Sequence, residues 1–222
     1  MSLSKLNLLK QAGVDRVCIN PQTMNDDTLR LIGRSHDSTS VDQAVGWARS
    51  AGIKHINMDL IVGLPGEHAK HWKTTAAKVL KLQPDNITVH TLAVKRGSTM
   101  AEIEGKTKIF DHVNEVEQGV KYFGQVLTEH GYSPYYLYRQ KYMQASMENL
   151  GYAHTDSFCI YNIQMIEERQ TIIALGGGAS SKFVNTADWS LTSFHNPKDP
   201  KSYIQSLNRL IARKVDKLRA LN

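Results

Sequence analysis

Cysteine is scarce in this 222-residue chain: Cys18 and Cys159 are the only two. Two thiols give neither a disulfide framework nor the spacing of a thiolate metal site, so the expectation is a reducing, cytoplasmic setting and no metal ligands. No apolar run approaches the roughly 20 residues that a membrane span needs. Met1-Ser2-Leu3-Ser4-Lys5 leads into an amphipathic helix and carries no signal-peptide pattern. There is no Lys/Arg block interleaved with aromatics, so nucleic-acid binding is a minor expectation. The formal net charge of +6 is equally compatible with an acidic small substrate. A dinucleotide fingerprint is missing as well, because Gly176-Gly177-Gly178 lacks the Gly-x-Gly-x-x-Gly spacing. The histidines, among them His36, His90 and His154, are scattered without metal spacing, and no Ser/His/Asp order can be assembled. No catalytic residue stands out. None of the first three strands ends in a Lys suited to Schiff-base chemistry.

What is present is the run His55-Ile56-Asn57-Met58-Asp59-Leu60-Ile61-Val62-Gly63-Leu64-Pro65-Gly66. It reads as a buried parallel strand that stops at a Gly-Leu-Pro-Gly turn. A carboxylate inside such a run is costly unless it is hydrogen-bonded, and ligands gather at the C-terminal ends of parallel strands. Asp59 is therefore a candidate binding residue. A structural Asp satisfied by backbone amides is the equal alternative.

The first part of the chain repeats one theme. Leu6, Leu8, Leu9 and Ala12 form a helix face, Gly13 ends it, and Val14–Ile19 is a short strand. A second helix with Val41, Ala44, Val45, Trp47 and Ala48 precedes the Asp59 strand. A third, with Trp72, Ala76, Val79 and Leu80, precedes Asn86–Leu92. Three helix–strand units predict an α/β parallel sheet or part of a barrel, over residues 1–105. Residues 106–222 read as an α+β cap. It comprises a long helix over Ile109–His130, a tyrosine-rich extended segment from Tyr132 to Tyr142, and a glycine loop at 176–178. A hairpin around Thr186-Ala187-Asp188 and a basic terminal helix from Pro200 to Leu221 follow. The glycine loop reads equally as an anion-binding set of amides or as a plain turn. A closed (β/α)8 barrel takes about 250 residues. The pattern also opens on a helix and leaves Val14–Ile19 without a neighbour on one side. The expectation is a C-terminal portion of a longer protein, prone to self-association through that exposed edge.

Three stretches carry a family resemblance: Arg16-Val17-Cys18-Ile19-Asn20-Pro21-Gln22-Thr23-Met24-Asn25-Asp26, Ile32-Gly33-Arg34-Ser35-His36, and Asp59 to Gly66. Together they resemble the radical S-adenosylmethionine (radical SAM) enzymes related to oxygen-independent coproporphyrinogen III oxidase. Glu148-Asn149-Leu150-Gly151-Tyr152, Tyr161-Asn162-Ile163-Gln164-Met165 and Gly176–Ala179 are similar to the HemZ-like branch. The resemblance implies the C-terminal half of a partial (β/α)6 TIM-like barrel with an appended α+β domain. It implies S-adenosylmethionine and a [4Fe–4S] cluster in the full-length protein. It also implies oxidative decarboxylation of the propionates of a coproporphyrinogen III-like tetrapyrrole to vinyl groups, with the electron donor unspecified. The family's Cys-x3-Cys-x2-Cys cluster loop is not in this chain, so a cluster and activity are not expected of it alone. A haem chaperone of the same superfamily is the alternative function.

The resemblance assigns S-adenosylmethionine contacts to Gln22, Arg34, Asp59 and Ala93. The chemistry suits them. The Gln22 amide can donate and accept at ribose hydroxyls, Asp59 can accept from the ribose diol, and Arg34 can clamp a carboxylate as a fork. Ala93 offers backbone beside the adenine. Lys95, Arg96, Arg139, Lys141 and Lys182 are candidates for pairing with propionates, against a solvated basic surface. Tyr135, Tyr136, Tyr138 and Tyr142 either stack on pyrrole rings or form one face of a sheet. Cys18, in an apolar strand, reads as a core residue.

Overall fold

The computed structural model describes residues 1–93, 113–139 and 147–221. The chain divides into two compact units, Met1–Phe158 and Cys159–Asn222.

In the first unit the helix–strand theme is realised as α1 (Leu3–Gln11), β1 (Arg16–Cys18), α2 (Asp26–Leu31), α3 (Ser38–Ser50), β2 (His55–Val62), α4 (Ala69–Lys81) and β3 (Asn86–Thr91). Then come α5 (Val113–Glu129), β4 (Ser133–Tyr138) and β5 (Asn149–Ala153). Local chemistry sets these boundaries. Ser2 and Asp37 accept from the amides of Lys5 and Ser40 and so cap α1 and α3. Gly13 and Gly52, at φ 85° and 76°, turn the chain out of the same two helices in a left-handed conformation.

Among the described residues the sheet has five strands in the order β1-β2-β3-β5-β4. β1, β2 and β3 are parallel, with Val17 beside Ile56 and Asp59 beside Thr88. β5 joins β3 antiparallel, with Thr88 beside Gly151, and β4 closes the order antiparallel to β5. Strand alternation divides this sheet into two chemically distinct faces. Val17, Ile56, Met58, Leu60, Val62, Ile87, Val89 and Tyr152 line one face and merge into the main core with Leu6, Val45, Ala48, Trp72, Val79, Val120, Phe123 and Leu127. A Cβ on Gly119 would stand 2.6 Å from the Val62 side chain and 3.1 Å from Trp72. Glycine there lets α5 lie close against β2 and α4. The opposite face carries Arg16, Cys18, Asn57, Asp59, Asn86, Thr88, His90, Tyr136 and Tyr138.

One sequence expectation changes here. Cys18 is exposed and not a core residue. In a three-residue strand Val17 takes the apolar face, and alternation sends Cys18 to the polar one, where Asn57 Nδ2 lies 3.6 Å from its Sγ. The expected boundary at 105/106 lies outside the described residues, and the contacts divide the chain after Phe158. The reason is the pairing of β5 with β3, which ties β4 and β5 into the first sheet. Asn86 Nδ2 also donates to the Ser157 carbonyl at 2.8 Å, and Arg16 donates to the same carbonyl at 2.9 Å, holding the end of this unit to the sheet.

The second unit contains α6 (Ile160–Glu167), the hairpin β6 (Ser180–Val184) and β7 (Leu191–His195), α7 (Pro200–Gln205) and α8 (Leu207–Arg219). Phe183, Phe194 and Leu210 form its core. The hairpin matches expectation, whereas the terminal helix is broken at Ser206, whose hydroxyl turns back to the Ser202 carbonyl at 2.5 Å. The glycine loop is a turn with its amides engaged internally: Gly176 donates to Tyr203 Oη at 3.2 Å and Gly178 to the Pro197 carbonyl at 2.7 Å. Among the described residues no helix is long and apolar enough to cross a membrane.

Candidate functional site

Asp59 stands on the polar face of β2, three residues before the strand ends. Its side chain keeps 24% exposure. Oδ1 accepts from Asn57 Nδ2 at 2.8 Å, and Oδ2 faces His90 Nε2 at 3.7 Å. Burial works to raise the Asp59 pKa, but the interactions with His90, Asn57 and Thr88 outweigh it and hold the carboxyl below its ordinary value. The result is an ionised, half-buried acceptor at the C-terminal end of a parallel strand. Lone pairs on both oxygens remain for a ligand.

Gln22 lies next to it through the main chain. Its amide donates to the Asp59 carbonyl at 3.0 Å, and Ile61 donates to the Gln22 carbonyl at 2.8 Å. These two bonds extend the parallel pairing by a bridge between Gln22 and Leu60. They also hold Gln22 at φ 70°, a left-handed conformation that residues with a Cβ seldom adopt. The Gln22 side chain is buried, with Nε2 at 3.3 Å from the Asn20 carbonyl.

A buried polar knot supports this loop. Glu67 Oε1 accepts from the Thr23 hydroxyl at 2.6 Å and from Asn25 Nδ2 at 3.0 Å. Thr75 Oγ1, on α4, accepts from the Met24 amide at 3.1 Å. The loop after β1 is thereby fastened to the turn after β2 and to α4. Glu67, Thr23 and Thr75 were not singled out from sequence. The available signal was an acid placed directly after the Gly63–Gly66 turn.

Arg34 is exposed beyond α2, and no hydrogen bond or ion pair joins its side chain to Asp59 or Gln22. Ala93 is half-buried just past the end of β3. The structure thus joins Gln22 and Asp59 directly and leaves Arg34 and Ala93 apart from that contact. It adds three residues that sequence reasoning passed over: Asn57, Thr88 and His90. Their signal was a pair of polar residues spaced by two within each of two apolar strands.

The tyrosines of β4 form part of the sheet face. Tyr136 and Tyr138 lie with ring planes 7° apart and centroids 6.2 Å apart, and Tyr136 Oη meets Thr88 Oγ1 at 2.9 Å. Burial pushes the Tyr136 phenol well above its ordinary range. Tyr135 turns away to stack on Phe158 at 4.9 Å. Of the basic candidates, Arg139 is paired with Glu148, and Lys182 with Glu168 and the Met165 carbonyl. Lys95, Arg96, Lys141 and Tyr142 lie outside the described residues. No group of three His, Cys, Asp or Glu side chains converges among the described residues.

Residues 1–79 match the model of the radical SAM superfamily. The chain is 42% identical over 211 residues to the oxygen-independent coproporphyrinogen-III oxidase-like protein HemZ of Bacillus subtilis (strain 168), covering 95% of this chain and 42% of that protein. It is 31% identical over 152 residues to the heme chaperone HemW of the same organism, covering 67% of this chain and 39% of that one. The fold is similar to that of coproporphyrinogen III oxidase (HemN) from Escherichia coli, a radical SAM enzyme. The TM-score is 0.69 at 20% identity, over 94% of this chain and 46% of that one. The chain therefore spans less than half the length of these relatives. With a parallel α/β sheet that presents Asp59 beside Gln22 at its C-terminal rim, the chain carries the radical SAM superfamily match over residues 1–79 and is similar to HemZ over 95% of its length.

Proposed function

We propose that this chain supplies part of an S-adenosylmethionine site in a protein that acts on a coproporphyrinogen III-like tetrapyrrole, converting propionate side chains to vinyl groups. The observation that carries the reading is the Asp59 carboxylate, held below its ordinary value on the polar rim of the sheet and bonded through its main chain to Gln22. In this reading Asp59 accepts from the ribose diol. Gln22 contacts the same sugar, Ala93 presents backbone to the adenine, and Arg34 receives the methionine carboxylate. Bound S-adenosylmethionine supplies the radical-forming chemistry; the protein supplies binding, orientation and shelter from water. The residues fit the nucleoside but not the [4Fe–4S] cluster of full-length relatives, since two cysteines do not make a three-thiolate set. No step is therefore derived through a cluster.

The likeness to HemW favours one other reading, a haem-handling protein without turnover. Anaerobic reconstitution of the complete protein with iron and sulfide separates the two. Cleavage of S-adenosylmethionine with decarboxylation of coproporphyrinogen III supports the enzyme. Tight stoichiometric haem binding without product supports the chaperone. For the nucleoside site itself, calorimetry on Asp59→Ala is expected to show weakened S-adenosylmethionine binding, and unchanged affinity contradicts the assignment.

A further inference from the structure

We infer that His90 is the positioning residue that aims the Asp59 carboxylate at its ligand, an inference that rests on the nucleoside reading above. β3 sets His90 beside Ile61, one strand over from Asp59 and two pairs further along. The imidazole lies between two oxygen atoms of opposite character. Nδ1 is 3.4 Å from Tyr138 Oη, on β4, and Nε2 is 3.7 Å from Asp59 Oδ2, on β2. A phenol can donate to Nδ1, whereas a carboxylate can only accept. The neutral tautomer that satisfies both neighbours carries its proton on Nε2, facing Asp59. Asn57 engages the other carboxylate oxygen at 2.8 Å. The carboxylate thus has a hydrogen bond from Asn57 on one oxygen and the His90 ring at ion-pair distance from the other, which biases its plane while leaving lone pairs on both oxygens. A ligand diol that accepts this geometry meets an acceptor already oriented, and the ordering cost of binding falls. His90, on β3, faces Asp59 on β2 from one ring nitrogen and reaches Tyr138 on β4, past β5, from the other.

The test uses S-adenosylhomocysteine as the probe, with calorimetry on the 222-residue chain and its variants. His90→Leu removes the polar ring edge beside Asp59 and is expected to weaken binding roughly threefold to fivefold, the scale of a partly exposed ionic contact. His90→Gln, which keeps an N–H donor on a shorter arm, is expected to recover most of that loss. A residue that only filled space would be served as well by Leu as by Gln. In parallel, 15N spectra of the His90 ring are expected to show the Nε2-protonated tautomer and to change in Asp59→Asn. Equal affinity of wild type and His90→Leu, or ring signals indifferent to Asp59→Asn, overturns the positioning role. Absence of probe binding by the wild type, or full affinity in Asp59→Asn, overturns the nucleoside reading instead. The two failures are therefore told apart by which variant is silent.

Discussion

The amide of Gln22 donates to the carbonyl of Asp59 across 3.0 Å, and that bond helps to hold Gln22 in a left-handed conformation. A residue held in a sparsely populated backbone conformation is often found where geometry is kept for function. Gln22→Gly removes the Cβ that disfavours φ 70°. Its urea unfolding free energy is expected to stay level or rise by up to about 1 kcal/mol, the strain relieved being partly offset by a more flexible unfolded chain. Its affinity for S-adenosylhomocysteine is expected to fall. A loss of stability without loss of affinity would mean that the Gln22 side chain serves packing alone.

Asp59 also makes stability depend on pH. In the folded chain its pKa is lowered; in the unfolded chain it returns to the ordinary value, which is higher. The carboxylate therefore contributes stability that is complete above the ordinary carboxylate range and is lost as pH falls through the lowered folded value. Asp59→Asn is expected to lose less stability than wild type when urea midpoints at pH about 6 and about 3 are compared. An acid limb persists in the variant, because hydrogen bonds from Ser40 and Ser202 hold the helix-capping Asp37 and Asp199 below their ordinary values too. Identical acid limbs for variant and wild type would contradict the assigned direction.

Gly151 is required by its neighbour across the strand pair. A Cβ there would stand 1.8 Å from Tyr136 Cε1 and 2.3 Å from Cδ1. Gly151→Ala is expected to cost about 1–3 kcal/mol, the scale of overpacking in a tight site. Adding Tyr136→Ala should return part of that loss, and calorimetric melting of the double variant measures the coupling.

Glu67 is the hub of the buried knot behind Gln22. Glu67→Ala removes the carboxylate oxygen that accepts from Thr23 and Asn25 and leaves them to Thr75 and the His71 carbonyl, at an expected cost of about 1 kcal/mol. Glu67→Gln keeps an acceptor oxygen and is expected to lose less. Thermal melting of both variants checks the order.

Among the described residues β1 ends the sheet order, with one side paired to β2. Its outer edge offers backbone groups to a second copy. Light scattering on the chain is expected to show mass rising with concentration, and a constant single-chain mass at high concentration would contradict pairing at this edge.

Much of this architecture was legible residue by residue. The strand around Asp59, the helix that holds Val41 to Ala48, the stops at Gly13 and Gly52 and the hairpin around Thr186-Ala187-Asp188 follow from local periodicity and turn chemistry. The sequence pattern reads as one basic terminal helix from Pro200 to Leu221, whereas Ser206, at φ −101° and ψ 4°, separates two helices. Gln22 was found through its place in a motif, but its strain and burial were not visible, because both arise from main-chain bonds to β2.

The sequence by itself determined that an acid would lie in an apolar strand at the rim of a parallel sheet, since alternation and strand length are properties of adjacent residues. Only the tertiary structure decided what surrounds that acid. β5 entering antiparallel beside β3 brings β4 into the same sheet, and register alone then sets Tyr138 and His90 in line with Asp59. Strand order and register are pairings between residues far apart in the chain, fixed by the joint burial of one apolar face, and no local pattern encodes them.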